Sequence, residues 1–313
     1  MMKIRKIKPL RFPVNKADPL NMGKSVALVW RHIDGLYRVI LKDLFAYINQ
    51  RLQRSMINRA DFIETDLTAF ELAEVLEEIQ RIIDRTLLSA GNQGGQLWFD
   101  SYLDEAMLKG TQSAVTDLSL QSERYRNERN LQSVIFSSSY FNRAAIARTA
   151  AYSDWKGLSD GLRKELANVI TEAVLNGDNV KATARTIKKR LDISAKRAKL
   201  IAQTEQLSAY RRAEWDEAIE AKEVLGLNAK LLHFSALKPT TRLTHAARHG
   251  KCFDVDEVKT WYQQDGNRFN CYCKQSVIVL NDDGKSDIEP LLKTLNEDRV
   301  KWTKSIKKRK TAK

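Results

Sequence analysis

Five side chains with metal-ligand chemistry fall between positions 245 and 273 of this 313-residue chain: His245, His249, Cys252, Cys271 and Cys273. Imidazole nitrogen and thiolate sulfur are the donors that hold zinc, and four of the five would complete a structural site. Zinc in such a module contributes on the order of 10 kcal/mol to folding. The Cys-x-Cys pair is tighter than the usual two-to-four-residue spacing, which leaves a second reading open. In it the cysteines are small buried apolar side chains, and the histidines hydrogen-bond backbone groups to pin an irregular loop. A third reading is a metal-dependent nuclease or toxin-like enzyme centred on His245 and His249, with a histidine as general base.

Two other patterns fail on inspection. Ala246 follows His245, so the H-E-x-x-H pair and its general base are missing. The segment MGKS at 22–25 ends like a phosphate loop, but Asp18 stands where that loop needs its first glycine. It reads as a helix start. No pair of carboxylates sits in a motif that implies acid/base work, and no catalytic residue or small-molecule substrate is assigned.

The elements that must position the cluster are mainly helical. Only Pro9, Pro13, Pro19, Pro239 and Pro290 occur, so no proline ring breaks a helix between 19 and 239. Val26, Val29, Ile33, Ile40, Leu44 and Ile48 stripe one helix face. A second helix starts at a capping box, Thr68 to Glu71, and is expected to end at Gly91, Gly94 and Gly95. Further helices are expected at about 96–118, 128–152, 158–176, 181–191 and 194–222. After Leu225 the pattern changes: AKLLHFSAL (229–237) and QSVIVL (275–280) have the length and apolar content of strands. A last helix is expected near 287–300. The fold class is therefore mainly α: a helical N-terminal half, then a small α+β module with short strands and a His/Cys-containing loop. The expected divisions are a basic arm (1–17), a helical domain (18–157), the α+β module (158–285) and a helix with a basic tail (286–313). The six tryptophans are scattered and read as core anchors rather than a base-stacking platform.

The formal charge is +14, and thirteen of those charges come from the two ends. Residues 1–16 carry Lys3, Arg5, Lys6, Lys8, Arg11 and Lys16 without an acid. Residues 301–313 carry Lys301, Lys304, Lys307, Lys308, Arg309, Lys310 and Lys313, again without an acid. Such runs repel themselves and suit salt-sensitive, sequence-independent contact with nucleic acid, for which Lys3, Arg5, Lys6, Lys8, Lys307, Lys308, Arg309 and Lys310 are the candidates. Solubilising tails, or arms that dock on an acidic protein, fit the same charge. No apolar run of about 18 or more residues suggests a membrane span. Three clustered cysteines argue against a disulfide framework and for a reducing cytoplasm.

Three ordered segments resemble the phage Mu protein F-like family, minor head proteins of tailed phages known as head morphogenesis proteins. The helix KRAKLIAQTEQLSAYRRAEW supplies Ile201, Ala202, Thr204 and Glu205, with Ala209 and Arg212 downstream. TTRLTHAARHGK then supplies Thr241, Arg242, His245 and Gly250. Asn270, Cys271, Cys273 and Val277 close the pattern. The chain departs from it at Lys238, Pro239 and Thr240, at His249, and in DGNRFN ahead of the cysteines. The resemblance covers about residues 158–281. It implies a non-enzymatic, low-copy virion protein of the capsid interior, assembled in the host cytoplasm and acting near the portal in head assembly and DNA packaging or ejection. Its partners would be the portal, other head proteins and, non-specifically, packaged DNA. Thr204, Glu205, Arg242 and His245 would form a buried polar network holding the module together.

Overall fold

The computed structural model describes residues 10, 12–53, 68–89, 97–176, 180–281, 283, 284, 286 and 288–311. Lys3, Arg5, Lys6 and Lys8 lie outside them, as do the three glycines expected to end the second helix. Of Lys307, Lys308, Arg309 and Lys310 only the backbone is described.

The described elements run α1 (Gly23–Gln53), α2 (Ala69–Leu87), α3 (Asp100–Gln121), α4 (Glu123–Glu128), α5 (Leu131–Ile135), α6 (Ser138–Asn176) and α7 (Val180–Leu225). They continue with β1 (Asn228–Phe234), α8 (Leu243–Ala247), β2 (Cys252–Phe253), α9 (Val255–Gln263), β3 (Lys274–Leu280) and α10 (Glu289–Thr311). The expected mainly helical chain with a small α+β C-terminal module is what folds. No helix among these residues is long and apolar enough to cross a membrane.

Several boundaries differ from expectation for clear reasons. The helices expected at 181–191 and 194–222 are one, because Ile187, Leu191, Ser194 and Ala198 keep a buried stripe across the proposed break. Residues 157 and 158, the expected domain boundary, lie inside α6. There Ala147, Ala151, Trp155, Leu158, Leu162 and Leu166 stay buried at helical spacing. Helix α10 extends to Thr311, so the basic end is carried on helical backbone. The capping box is present: Glu71 N donates to Thr68 Oγ1 at 3.3 Å and Thr68 N to Glu71 Oε2 at 2.9 Å. The MGKS segment is a helix start, where the Asp18 carboxylate accepts from Met22 N (3.2 Å) and Gly23 N (2.7 Å).

Two compact units divide the chain. One, of residues 26–101 and 148–203, is helical. Its core takes the α1 stripe from Val26 to Ile48 and Val75, Ile79, Ile82 and Ile83 of α2. An aromatic group locks it, with Trp155 4.9 Å from Trp98 and 5.6 Å from Phe99 between ring centres.

The other unit, residues 1–25, 102–147 and 204–313, contains the sheet. Its strand order is β2-β1-β3, all antiparallel, with Asn228 opposite Leu280 and Phe234 opposite Lys274. Side chains alternate with period two. Ala229, Leu231 and Val277 enter a core with Val115, Leu118, Tyr125, Trp215 and Tyr262, while Leu232, Phe234 and Ile278 pack on Leu291 and Leu295 of α10. The open edge of β3 is met by a side-chain amide: Gln121 donates to Val277 O (2.9 Å) and accepts from Val279 N (3.0 Å).

Beneath the sheet lies a buried charge group. Lys274 Nζ sits 2.8 Å from Ser113 Oγ, 3.4 Å from Glu214 and 4.0 Å from Asp117. Burial pushes the Glu214 carboxyl up to about 8, against the pull of Lys274, from an ordinary 4.5. A carboxyl raised in this way binds its proton more tightly folded than unfolded. Its stabilising contribution is complete below 4.5 and is lost as pH rises through about 8. Glu214→Gln should therefore flatten the decline in thermal midpoint between about pH 5 and about pH 8. Equal slopes for variant and parent would contradict this.

Candidate functional site

The site is built where the end of β1, the short helix α8 and the start of β3 meet. Arg242 precedes α8, which brings His245 inward and buries it. The turn after α8 ends at Gly250, whose φ of +76° and whose N–H bond to His233 O (2.9 Å) close the loop back onto β1. A Cβ there would sit 2.8 Å from Leu295 Cβ, so both the backbone angle and the space call for glycine.

His245, Cys271 and Cys273 converge, each no more than 3% exposed. His245 Nδ1 lies 3.4 Å from Cys271 Sγ and 3.5 Å from Cys273 Sγ. Cys273 N donates to Cys271 Sγ at 3.4 Å, and the Tyr262 hydroxyl is 3.5 Å from the same sulfur. Trp261 packs edge-on against the His245 ring, centres 4.6 Å apart. Burial alone would raise the Cys271 thiol. Hydrogen bonds from Cys273 and His245, with the Arg211 charge, outweigh it and hold the thiol well below the ordinary range. Cys273 is pushed well above by its hydrogen bond to Cys271 and by burial. Of the two sulfurs, Cys271 is thus the more readily ionised.

The other two candidates stand apart. His249 Nδ1 accepts from Ser235 N at 2.9 Å, and burial lowers its pKa to about 4. It is a neutral pin between β1 and the turn after α8, the role expected of a loop-fixing histidine. Cys252 belongs to β2, packs beside the Leu232 and Ile278 core, and has its thiol pushed up to about 11 by burial.

Three of the four polar motif residues act through one loop. Arg242 is exposed and donates to the carbonyls of Gly266 (2.9 Å), Asn267 (3.3 Å) and Phe269 (2.6 Å). Buried Glu205 pairs with Arg268 of the same loop. The loop passes through left-handed backbone at Asp265, Gly266 and Asn270 and delivers Cys271 directly. His245 meets the cysteines it delivers, while the buried Thr204 hydroxyl makes no hydrogen bond among the described residues. Arg242 and Glu205 are thus positioning residues for the Cys-x-Cys segment.

Sequence reasoning passed over Arg211 and the Tyr262–Gln275 pair. Arg211 is 1% exposed and donates to Cys271 O (2.9 Å) and Ser208 Oγ (3.3 Å), with its guanidinium 4.8 Å from the Tyr262 ring centre. Thr204, Ser208, Arg211 and Trp215 recur at helical spacing, which was the available signal. Tyr262 and Gln275 are the second element: Gln275 Nε2 donates to Tyr262 OH (2.9 Å), and its Oε1 accepts from Trp215 Nε1 (3.2 Å). Beside the cluster opens a cavity of about 390 Å³ lined by Ala236, Lys238, Arg242, His245, Cys271 and Cys273, among others.

Residues 164–276 match the family model described as Phage Mu protein F like protein. That segment is thus similar to the Mu protein F-like family of phage head morphogenesis proteins, in line with its motif residues. No curated protein and no solved structure matches the chain.

Proposed function

We propose that the chain is a non-enzymatic minor capsid protein, present in few copies inside the head, which acts near the portal in assembly and in DNA packaging or delivery. The observation that carries this reading is the family match across residues 164–276, the segment whose motif residues build the loop clasp and the sheet. Two features support it. The motif side chains Glu205 and Arg242 are spent on holding a loop. The basic C-terminal run continues a helix, α10, on which Lys301 and Lys304 are exposed, a form suited to salt-sensitive contact with packaged DNA. The nuclease alternative loses its geometry, because His249 is committed to Ser235 and the neighbours of His245 are sulfurs. Phosphodiester-cleaving Mg²⁺ sites are built from oxygen ligands.

The test is incorporation. Heads purified from cells producing this chain with the phage structural proteins should contain it at a few copies per particle, resistant to protease until the heads are opened. Its absence from purified heads, or plasmid nicking lost in His245→Ala, would overturn the reading.

A further inference from the structure

We infer that His245 Nδ1, Cys271 Sγ and Cys273 Sγ form a three-ligand zinc site whose fourth position faces the adjoining cavity and takes water. This inference stands independently of the head-protein reading. Zn–S bonds of about 2.3 Å and Zn–N bonds of about 2.0–2.1 Å at tetrahedral angles put nitrogen and sulfur about 3.5 Å apart. The two nitrogen–sulfur separations here are 3.4 and 3.5 Å, and all three donor atoms lie within 4.8 Å of one another.

An imidazole Nδ1 carries at most one hydrogen, which, shared between two sulfurs, makes only a weak, bent bond to each. A cation between the three atoms satisfies all of them. The surroundings are those of thiolate sulfur: Cys271 accepts from the Cys273 N–H, has the Tyr262 hydroxyl within reach, and has Arg211 bound to its own carbonyl. The Cys273 sulfur lies 3.8 Å from Ser235 Oγ. Such outer contacts orient ligands and tune their basicity.

Among the described residues no fourth histidine, cysteine or carboxylate joins the group. His249 and Cys252, which would have closed it, are held elsewhere by Ser235 and by the α10-side core. Three protein ligands beside an aqueous cavity leave an exchangeable position, the pattern of an open site. Non-glycine residues in left-handed backbone frame the cluster on both sides, Leu237 (φ +46°) after β1 and Asn270 (φ +50°) before Cys271. A leucine in that conformation is strained, and ligation of the cluster would offset the strain. On binding, any thiol proton still present leaves to solvent and the sulfur lone pair goes to the metal.

The test uses the full chain, purified without chelator, reconstituted with zinc sulfate and dialysed. Metal analysis should find about one zinc per chain, lost in Cys271→Ser and Cys273→Ser and kept in Cys252→Ser and His249→Gln. Cobalt(II) in place of zinc should give intense visible bands and a sulfur-to-cobalt charge-transfer band in the unmodified chain, a readout independent of whether the variants fold. Added azide should shift the visible bands by replacing water at the fourth position. No retained zinc and no charge-transfer band would overturn the site. Loss of zinc in Cys252→Ser equal to that in Cys271→Ser would overturn the ligand set, and cobalt bands indifferent to azide would overturn the open position.

Discussion

Above about pH 8, where Glu214 is ionised, Lys274→Met should lower the unfolding free energy by about 3–5 kcal/mol, the cost of breaking a buried ion group by removing one partner. Lys274 is 6% exposed at the start of β3, and its ammonium group faces Glu214 and Asp117, whose carboxylates are fully or almost fully buried. Methionine keeps most of the volume, so the effect isolates the charge. Burial would lower the pKa of such an amine, yet the nearby acids raise it above its ordinary value, so the cation is the favoured form in the folded chain. Without it, the carboxyl groups face low-dielectric surroundings and must take up protons or draw in water. Adding Glu214→Gln and Asp117→Asn to Lys274→Met should recover part of the loss, because fully neutral buried groups escape most of the charge penalty. Urea unfolding measures both. A loss below about 1 kcal/mol would mean the group is solvated in a way the geometry contradicts.

Gly110→Ala is expected to cost about 3 kcal/mol or more, at the upper end of overpacking effects. Gly110 lies in α3 where that helix closely approaches α7. A Cβ would stand 2.2 Å from Tyr210 O, 2.9 Å from Tyr210 C and 3.1 Å from Ala213 Cβ. The first two obstacles are backbone, which no rotamer change can move aside, so the helices must separate. Alanine's gain in helix propensity, about 1 kcal/mol, does not offset this. The control is internal: Gly157 and Gly161 also lie within a long helix, and a methyl carbon added at either would meet nothing within 4 Å. Alanine at either should stabilise by about 0.5–1 kcal/mol. If Gly110→Ala behaves like those two, the close approach of α3 and α7 is wrong.

Local chemistry announced much of this architecture. The stripe from Val26 to Ile48 faces a core, and the Thr68–Glu71 capping box starts a helix where its pattern says. The paired strands at 228–234 and 274–280 carry the apolar runs that marked them. The two-residue β2 has too few side chains for any periodicity, and it forms because β1 offers it a partner. A continuous buried stripe runs through the breaks expected near 153–157 and 192–193.

The site was legible in part. Cys271 and Cys273 are neighbours along the chain, so their convergence needed no fold. Choosing between His245 and His249 did need it. On a continuing helix, residues four apart share a face, but α8 stops at Ala247 and the following turn sends His249 toward Ser235 instead. Thr204, Glu205, Arg242 and His245 were expected to form one buried network. Arg242 and Glu205 instead grip the 265–270 loop by backbone carbonyls and Arg268, contacts that only the folded loop defines.

The most direct measurement is the native mass of the full chain mixed with its candidate portal ring. The head-protein account predicts stable co-migration of a few copies with the ring at physiological salt, unaffected by Cys252→Ser. A chain that stays a free species at every mixing ratio, while the ring binds its other head partners, would contradict it.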